Sequence, residues 1–447
     1  MLGMTKGREA MAGKKRRLRV SLGTIFMLAL TALVLAGCVA LLSMMVGDEL
    51  YEKTGALIRT LTEQGLNEPV PQESDAPAAA AVFALPAEET PVISPAPTLT
   101  PVPQPSEIHI AAAGTIYAPK AVRESVQEGG GFDFSPVFEG LGDTLLSADL
   151  AIATLETMAA GKDKGFSSYN TAPEILDALR EYGIDLLSLA TERALDKGYD
   201  GLDLTISELT ARALAYAGVN PEGTGSRATM LRVNGVQVAV LAYTYGLSGE
   251  GEDKTGGDRR GVVSMIKTQR MEEDIRQARV DGANLVIVLP HWGTKNKPEV
   301  ADYLRSTARA LAQAGADVII GTHPNVAQET ERITVTRADG LQYDAVVCYS
   351  LGTLLTDAHT RENTAGMVAH VTAIYDPVSR RTTLGEMYCT PVYVARQKEE
   401  SSMQYRIVDA ESESALSLLD ETERENARKA VEMIRDVTMT EGQEGQG

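Results

Sequence analysis

Four short segments far apart in the chain end in side chains able to do chemistry, and each follows an apolar run. Glu156 follows Leu150–Leu155, and Asp196 closes a turn after Leu186–Ala190. His291-Trp292-Gly293 follows Leu285–Pro290, and His323-Pro324-Asn325 follows Ile319–Thr322. Short apolar runs of this kind are buried strands, and α/β enzymes keep their reacting groups in the loops at the C-terminal ends of such strands. Carboxylates and imidazoles gathered in that way are the ligand and acid–base groups of metal-dependent hydrolases. Each segment alone is a weak signal, because a single His after a strand is more often a hydrogen-bonded loop residue. His291 and His323 stand at equivalent strand ends and strengthen one another, whereas His109, His359 and His370 read as structural or solvated. Trp292, the one tryptophan of the chain, serves equally as a core anchor or as a platform for a ligand.

The elements that must position these groups show in the hydrophobic pattern. The stretch LSLATERALDKGYDGLDLTISEL, residues 187–209, has the outline of a catalytic loop. A strand runs into a polar turn and then a helix, whose start is signalled by Thr205 with Glu208 three residues later. The turn itself is Thr191-Glu192-Arg193, without His, Asn or Cys. Elsewhere the pattern predicts a strand at 108–113, helices at 136–147 and from Pro173 to Gly183, and a hairpin turned at Asn234-Gly235. Helices at 264–281 and 298–314 alternate with strands at 285–289 and 318–321. Strands follow at 331–337, 344–350, 367–375 and 383–393. Asp420 with Glu423 caps a last amphipathic helix that has Ala427, Val431 and Ile434 on one face. Such an order predicts an α/β body of two packed sheets with helices outside.

Charge is distributed unevenly. The 447 residues carry a net charge of −19. Residues 1–20 hold seven Lys or Arg against one Glu, a net of +6, so the remainder carries −25. An acidic body lacks the cationic surface that nucleic-acid binding needs, and no nucleic-acid partner is expected. The basic cluster at 14–19 abuts an uncharged run of 27 residues, Val20–Val46, longer than the roughly 20 needed to span a bilayer. Positive charge before the span and Asp48-Glu49 after it place the N-terminus in the cytoplasm and the body outside. Leu35-Ala36-Gly37-Cys38 also resembles a lipobox, and a cleaved secretory peptide is a third reading; all three export the body. Ten of the 19 prolines lie between Pro69 and Pro105, so residues 47–106 read as an extended stalk. At about 3.1 Å per residue the proline-dense part from Pro69 to Pro105 reaches on the order of 100 Å. Cys348 and Cys389 either pair outside the cell or are buried free thiols.

Six blocks, in order, resemble a known family. They are FDFSPVFEGLGDTLLSADLAIATLE, TAPEILDALREYGIDLLSLATERALDKGYDGL, VNGVQVAVLAYTYG, LPHWGTKNKPE, ADVIIGTHPNVAQ and CYSLGTLL. Residues 107–395 are similar in these blocks to the CapA family, bacterial capsule and poly-γ-glutamate synthesis proteins with a calcineurin-like metallophosphatase fold. The resemblance implies a four-layer α/β/β/α sandwich and a membrane-anchored protein acting outside the cell; residues 396–447 would be a C-terminal extension. The metal-type side chains of the family pattern are largely replaced. Its G-D is here Gly114-Thr115, its N-L-E is Thr154-Leu155-Glu156, and its A-N-N-H-x-x-D-x-G is Ala190-Thr191-Glu192-Arg193-Ala194-Leu195-Asp196-Lys197-Gly198. H-W-G-x-E keeps only His291-Trp292-Gly293, G-x-H-P-H ends in Asn325, and S-L-G-N-F reads Ser350-Leu351-Gly352-Thr353-Leu354. Arg193 stands where the resemblance implies a ligand histidine, and a fixed cation repels a divalent ion.

The sequence therefore points to a degenerate version of the fold with no cofactor expected, or one divalent ion at most. Glu156, His291 and His323 are its candidate metal ligands, and His291 and Asp196 its candidate catalytic groups. Thr115, Glu156, Glu192, Arg193, Trp292 and Asn325 are expected to line a cleft for an anionic cell-surface polymer or an envelope protein. The competing expectation is a metal-dependent hydrolase or transferase acting on a γ-glutamyl or phosphorylated envelope polymer; a purely structural role in the envelope is a third. Protease added to intact protoplasts should shave off the body and leave a small anchored fragment. Full protection of the body would contradict this orientation.

Overall fold

The computed structural model describes residues 103–223, 225–248, 261–399 and 402–438. The expected span at 20–46 and nearly all of the stalk at 47–106 lie outside these residues. Among the described residues no helix is long and apolar enough to cross a membrane. In chain order the strands are β1 (Ser106–Ile116), the short hairpin β2 (Gln127–Glu128) and β3 (Gly131–Phe132), β4 (Leu150–Leu155), β5 (Leu186–Ser188) and β6 (Ala215–Ala217). There follow β7 (Thr229–Val233), β8 (Val236–Thr244), β9 (Leu285–His291), β10 (Val318–Ile320), β11 (Thr330–Thr336) and β12 (Gln342–Cys348). The last are β13 (Thr353–Leu355), β14 (Ala365–Asp376), β15 (Arg381–Glu399) and β16 (Ser402–Asp409).

Two mixed sheets form the body. The first has the order β16-β15-β14-β1-β4-β5-β6, with β13 also paired to β1; the second has the order β11-β12-β10-β9-β8-β7. Period-two alternation sorts the side chains between layers. Ile108, Ile110 and Ala112 of β1 face Val236, Val238 and Val240 of β8 in one apolar cluster between the sheets. The opposite face of β8, with Ala239, Leu241 and Tyr243, packs on Met271 and Ile275 of the helix Thr268–Val280 and on Leu304 and Leu311 of Asp302–Ala314. Ala111, Ala151 and Ala153 of the first sheet pack on Ile175, Leu179 and Leu202 of the helices Ile175–Glu181 and Gly198–Ala211. The layers thus run helix, sheet, sheet, helix. The hairpin at Asn234-Gly235 turns with both residues at positive φ, +48° and +82°, as a two-residue hairpin turn requires.

Some expected boundaries move. The helix predicted at 136–147 is confined to Ser135–Phe138. Gly142 takes φ +51°, and the Gly140 carbonyl accepts the Asp409 N–H. The helix expected to begin at Thr205 begins at Gly198 instead. Thr205 is buried inside it and donates its hydroxyl to the Gly201 carbonyl at 2.9 Å, so tertiary burial overrides the capping pattern. At the C-terminal end Asp420 does cap the helix Glu421–Thr438, accepting the Glu423 N–H at 2.9 Å. Ala427, Val431 and Ile434 are buried under β14 and β15. β15 crosses residue 395 without a break and pairs with β16 as far as Glu399–Ser402. Cys348 and Cys389 are free thiols.

Gly321, just after β10, carries the geometry of the strand end. A Cβ there would overlap the carbonyl oxygen of Tyr349 and the indole nitrogen of Trp292. Gly321→Ala should therefore destabilise the protein by about 3 kcal/mol or more, measured by urea unfolding. A change under about 1 kcal/mol would show that this close approach is not needed.

Candidate functional site

The second sheet supplies two imidazoles at its C-terminal strand ends. His291 is the last residue of β9, and it bridges to Thr322 on the chain leaving β10. His323 follows at φ +99°, a left-handed backbone that a residue with a Cβ adopts at a cost of about 1–3 kcal/mol. The first sheet supplies carboxylates: Glu156 just beyond β4 and Glu192 in the turn beyond β5. Both carboxylates and both histidines are buried.

These groups meet in one cluster. Glu192 Oε2 lies 2.6 Å from His291 Nε2 and 3.4 Å from His323 Nδ1, and the two ring nitrogens are 3.2 Å apart. His291 Nδ1 faces the Thr322 hydroxyl at 3.1 Å. Tyr245, half exposed, tilts over His323 with ring centroids 4.5 Å apart. The other oxygen of Glu192 belongs to Lys295, whose ammonium is 2.8 Å away and reaches Glu156 at 3.6 Å. Arg193 turns aside. Its guanidinium pairs with Asp196 at 3.5 Å and stacks 3.9 Å above the Tyr169 ring. Asp196 also accepts the Ser248 hydroxyl.

Burial sets the electrostatics, and the ion pairs decide its sign. Burial pulls the His291 imidazole down to about 4, against the raising effect of Glu192, so the ring is neutral at pH 7. Burial alone would raise Glu192, but hydrogen bonds to His291 and His323 and the Lys295 ammonium outweigh it and keep it ionised. Glu156 goes the other way. Burial and the neighbouring Glu192 raise it from 4.5 to about 7, despite Lys295 and Arg193. Lys295 is lowered by burial but raised further by Glu156 and Glu192. Ionised Glu192 thus faces Lys295, Asp196 pairs with Arg193, and Glu156 titrates near neutrality.

Several expectations from sequence change. Glu192, not Glu156, completes the group with His291 and His323. Asp196, the expected catalytic residue, is engaged by Arg193 and by the Ser248 hydroxyl. Trp292 is a core anchor, not part of a ligand cleft: it is buried, donates to the Tyr349 carbonyl at 3.0 Å and stacks on the Tyr349 ring. Thr115 is also fully buried, aligned in register with Thr154 and Thr353, and its hydroxyl has no hydrogen-bond partner. Asn325, at φ +60°, has its carbonyl held by Asn363 at 2.9 Å, and its side-chain oxygen is buried without a partner. Lys295 was missed. It occupies the Glu position of the H-W-G-x-E pattern, four residues after His291, and that charge inversion was the signal available.

Residues 109–358, more than half of the chain, match the family described as bacterial capsule synthesis protein PGA_cap. The chain belongs to this family. The PGA biosynthesis protein CapA of Bacillus subtilis (strain 168) is 29% identical over 210 residues, covering 45% of this chain and 50% of that protein. The capsule biosynthesis protein CapA of Bacillus anthracis is 27% identical over 202 residues, covering 44% and 46%. The chain spans about half the length of the curated relatives it matches. Among solved structures, the calcineurin-like phosphoesterase YfkN from Bacillus subtilis aligns at 13% identity and a TM-score of 0.39, covering 74% of this chain and 98% of that one. A Mycoplasma pneumoniae phosphatase aligns at 13% identity and a TM-score of 0.36, covering 64% and 94%.

In this member of the PGA_cap family the donor set fits one divalent ion. A carboxylate oxygen of Glu192 and one nitrogen each of His291 and His323 lie within 4.8 Å of one another, all buried. Lys295 holds the other oxygen of Glu192 at 2.8 Å, so an ion on Oε2 would sit beside a fixed like charge. Among the described residues no second group of three such donors comes together, and Glu156 is paired with Lys295.

The raised Glu156 makes stability depend on pH with a definite sign. The folded state binds the extra proton between about 4.5 and about 7, so this group's contribution is full at low pH and lost as pH rises through about 7. Glu156→Gln keeps the neutral form at every pH. From pH 5 to pH 8 the variant should gain on the parent by on the order of 1–3 kcal/mol in urea unfolding with chelator present. A difference that stays flat or moves the other way would contradict the burial of this carboxylate.

Proposed function

We propose that this PGA_cap family member is a membrane-anchored, extracellular protein of capsule or poly-γ-glutamate synthesis that binds rather than turns over its polymer. The observation that carries this reading is the Lys295–Glu192–His291 chain of contacts. Buried ionised carboxylates must be charge-compensated, and here a side chain of the protein supplies the cation that a metal would otherwise supply. Arg193 adds a second fixed charge beside it, neutralised by Asp196. The fold of a hydrolase site is kept while its electrostatics are closed internally. The basic cluster and apolar run at 14–46 support anchoring with the body outside.

A second reading has its own support. Glu192, His291 and His323 converge as three ligands of one ion would, and a bound ion would supply Lewis-acid activation of water for a metal-dependent hydrolase or transferase. Lys295 separates the two readings. Protein purified from cells given manganese and zinc should carry well under one equivalent of metal by elemental analysis, and should not hydrolyse bis(p-nitrophenyl) phosphate with metal added. Lys295→Ala should raise metal affinity about tenfold or more by removing a like charge from the site. Stoichiometric metal in the unmodified protein, lost in His323→Ala together with phosphodiesterase activity, would replace the first reading with the second.

A further inference from the structure

The first sites to consider for an anionic chain are the cations of the cluster, yet Lys295 is paired with Glu192 and Glu156, and Arg193 with Asp196, leaving only the buried Arg193 Nε without a hydrogen bond. The unspent positive charge lies elsewhere. At the opposite, N-terminal end of β9 and β10 a groove of about 760 Å³ runs between the second sheet and the β14–β15 turn. A seven-residue strand separates the two ends, roughly 20 Å. Five arginines and two aspartates line this groove, a local excess of three positive charges on a body that is strongly acidic overall.

The arginines divide by role. Arg279 is tied to the carbonyls of Ala283, Asn284 and Gly315 and to Asp317, and Arg337 to the carbonyls of Ala312 and Ala316 and to Asp317. These two form a fixed cationic floor in which one carboxylate serves two guanidinia. Arg276 is exposed and held by Glu272 at 2.5 Å. Arg380 and Arg381 are different. Arg380 stands exposed in the turn at φ +56° and makes no hydrogen bond or ion pair among the described residues. Arg381 gives one hydrogen bond, to the Gln342 carbonyl at 3.1 Å, and its Nε has no partner. An unpaired buried donor is costly, so this guanidinium is only partly satisfied within the fold. The Arg337 and Arg381 guanidinia both stack on Tyr343, at 4.3 and 4.6 Å from the ring centroid. Stacked guanidinia offer their N–H groups edge-on, the geometry that a planar carboxylate meets in its own plane.

We propose that this groove binds an extended polycarboxylate chain, with Arg380 and Arg381 as its capturing residues and Tyr343 as the wall that orients Arg381. The site stands apart from the histidine cluster and holds whether or not that cluster ever turns over a substrate.

The test uses the full chain in detergent and a fluorescently labelled poly-glutamate oligomer, followed by anisotropy. Saturable binding that weakens as salt is raised is expected. Arg380→Glu with Arg381→Glu should weaken it about tenfold or more, and Lys120→Met, at an exposed lysine of the helix Lys120–Ser125 that lines neither site, should leave it unchanged. Arg380→Glu alone, at a side chain that holds nothing in the fold, should still weaken binding severalfold and covers the case in which the double variant misfolds. The proposal is overturned by absence of saturable binding, by parental affinity in the Arg380→Glu variant, by loss of binding in Lys120→Met, or by tighter binding of polyphosphate than of poly-glutamate.

Discussion

A carboxylate at Glu192, almost wholly removed from water, needs a cation within contact distance, because an uncompensated buried charge costs several kcal/mol. Lys295 at 2.8 Å meets that need, with His291 and His323 donating or sharing protons on the other side. The neighbouring replacements make sense together under this constraint. Relative to the family pattern, Glu192 adds a negative charge, Arg193 exchanges an imidazole for a fixed cation, and Lys295 exchanges a carboxylate for an ammonium. Jointly they leave a compensated network in which Glu156 is poised to titrate near neutral pH.

The fold makes this network possible by bringing strand ends of two sheets to one place. Glu156 and Glu192 come from β4 and β5 of the first sheet, and His291 and His323 from β9 and β10 of the second. The apolar layer between the sheets holds the two sets in register. Tight backbone contacts finish the job: Gly321 passes against Tyr349 and Trp292, and His323 is held at positive φ. Strained, closely packed strand ends of this kind belong to sites where geometry matters, and here they persist although the charges have been rearranged.

Much of this was legible in the sequence. The run LAIATL gave β4 its limits, Asn234-Gly235 gave the hairpin, and Asp420 gave the cap of the last helix. His291 and His323 were identifiable from their place after apolar runs. The sequence misled where tertiary contacts override local signals: Thr205 looked like a cap but is buried inside a helix, and Gly140 and Gly142 end a helix that the hydrophobic pattern extended. Lys295 was overlooked because a lysine in a loop is usually solvated. Its meaning depends on two carboxylates 103 and 139 residues upstream, Glu192 and Glu156, and such a pairing appears only once the strands are assembled. Arg193, the most conspicuous replacement, proved to be paired locally with Asp196.

The central claim is that Lys295, rather than a metal ion, compensates the buried Glu192–His291–His323 group. Titrating manganese into protein labelled with nitrogen-15 at its histidines reads this directly, since a paramagnetic ion broadens only the imidazoles beside it. The account predicts that the His291 and His323 resonances survive an equivalent of manganese in the parent and are broadened in Lys295→Ala. Selective loss of both resonances in the parent at one equivalent would contradict it.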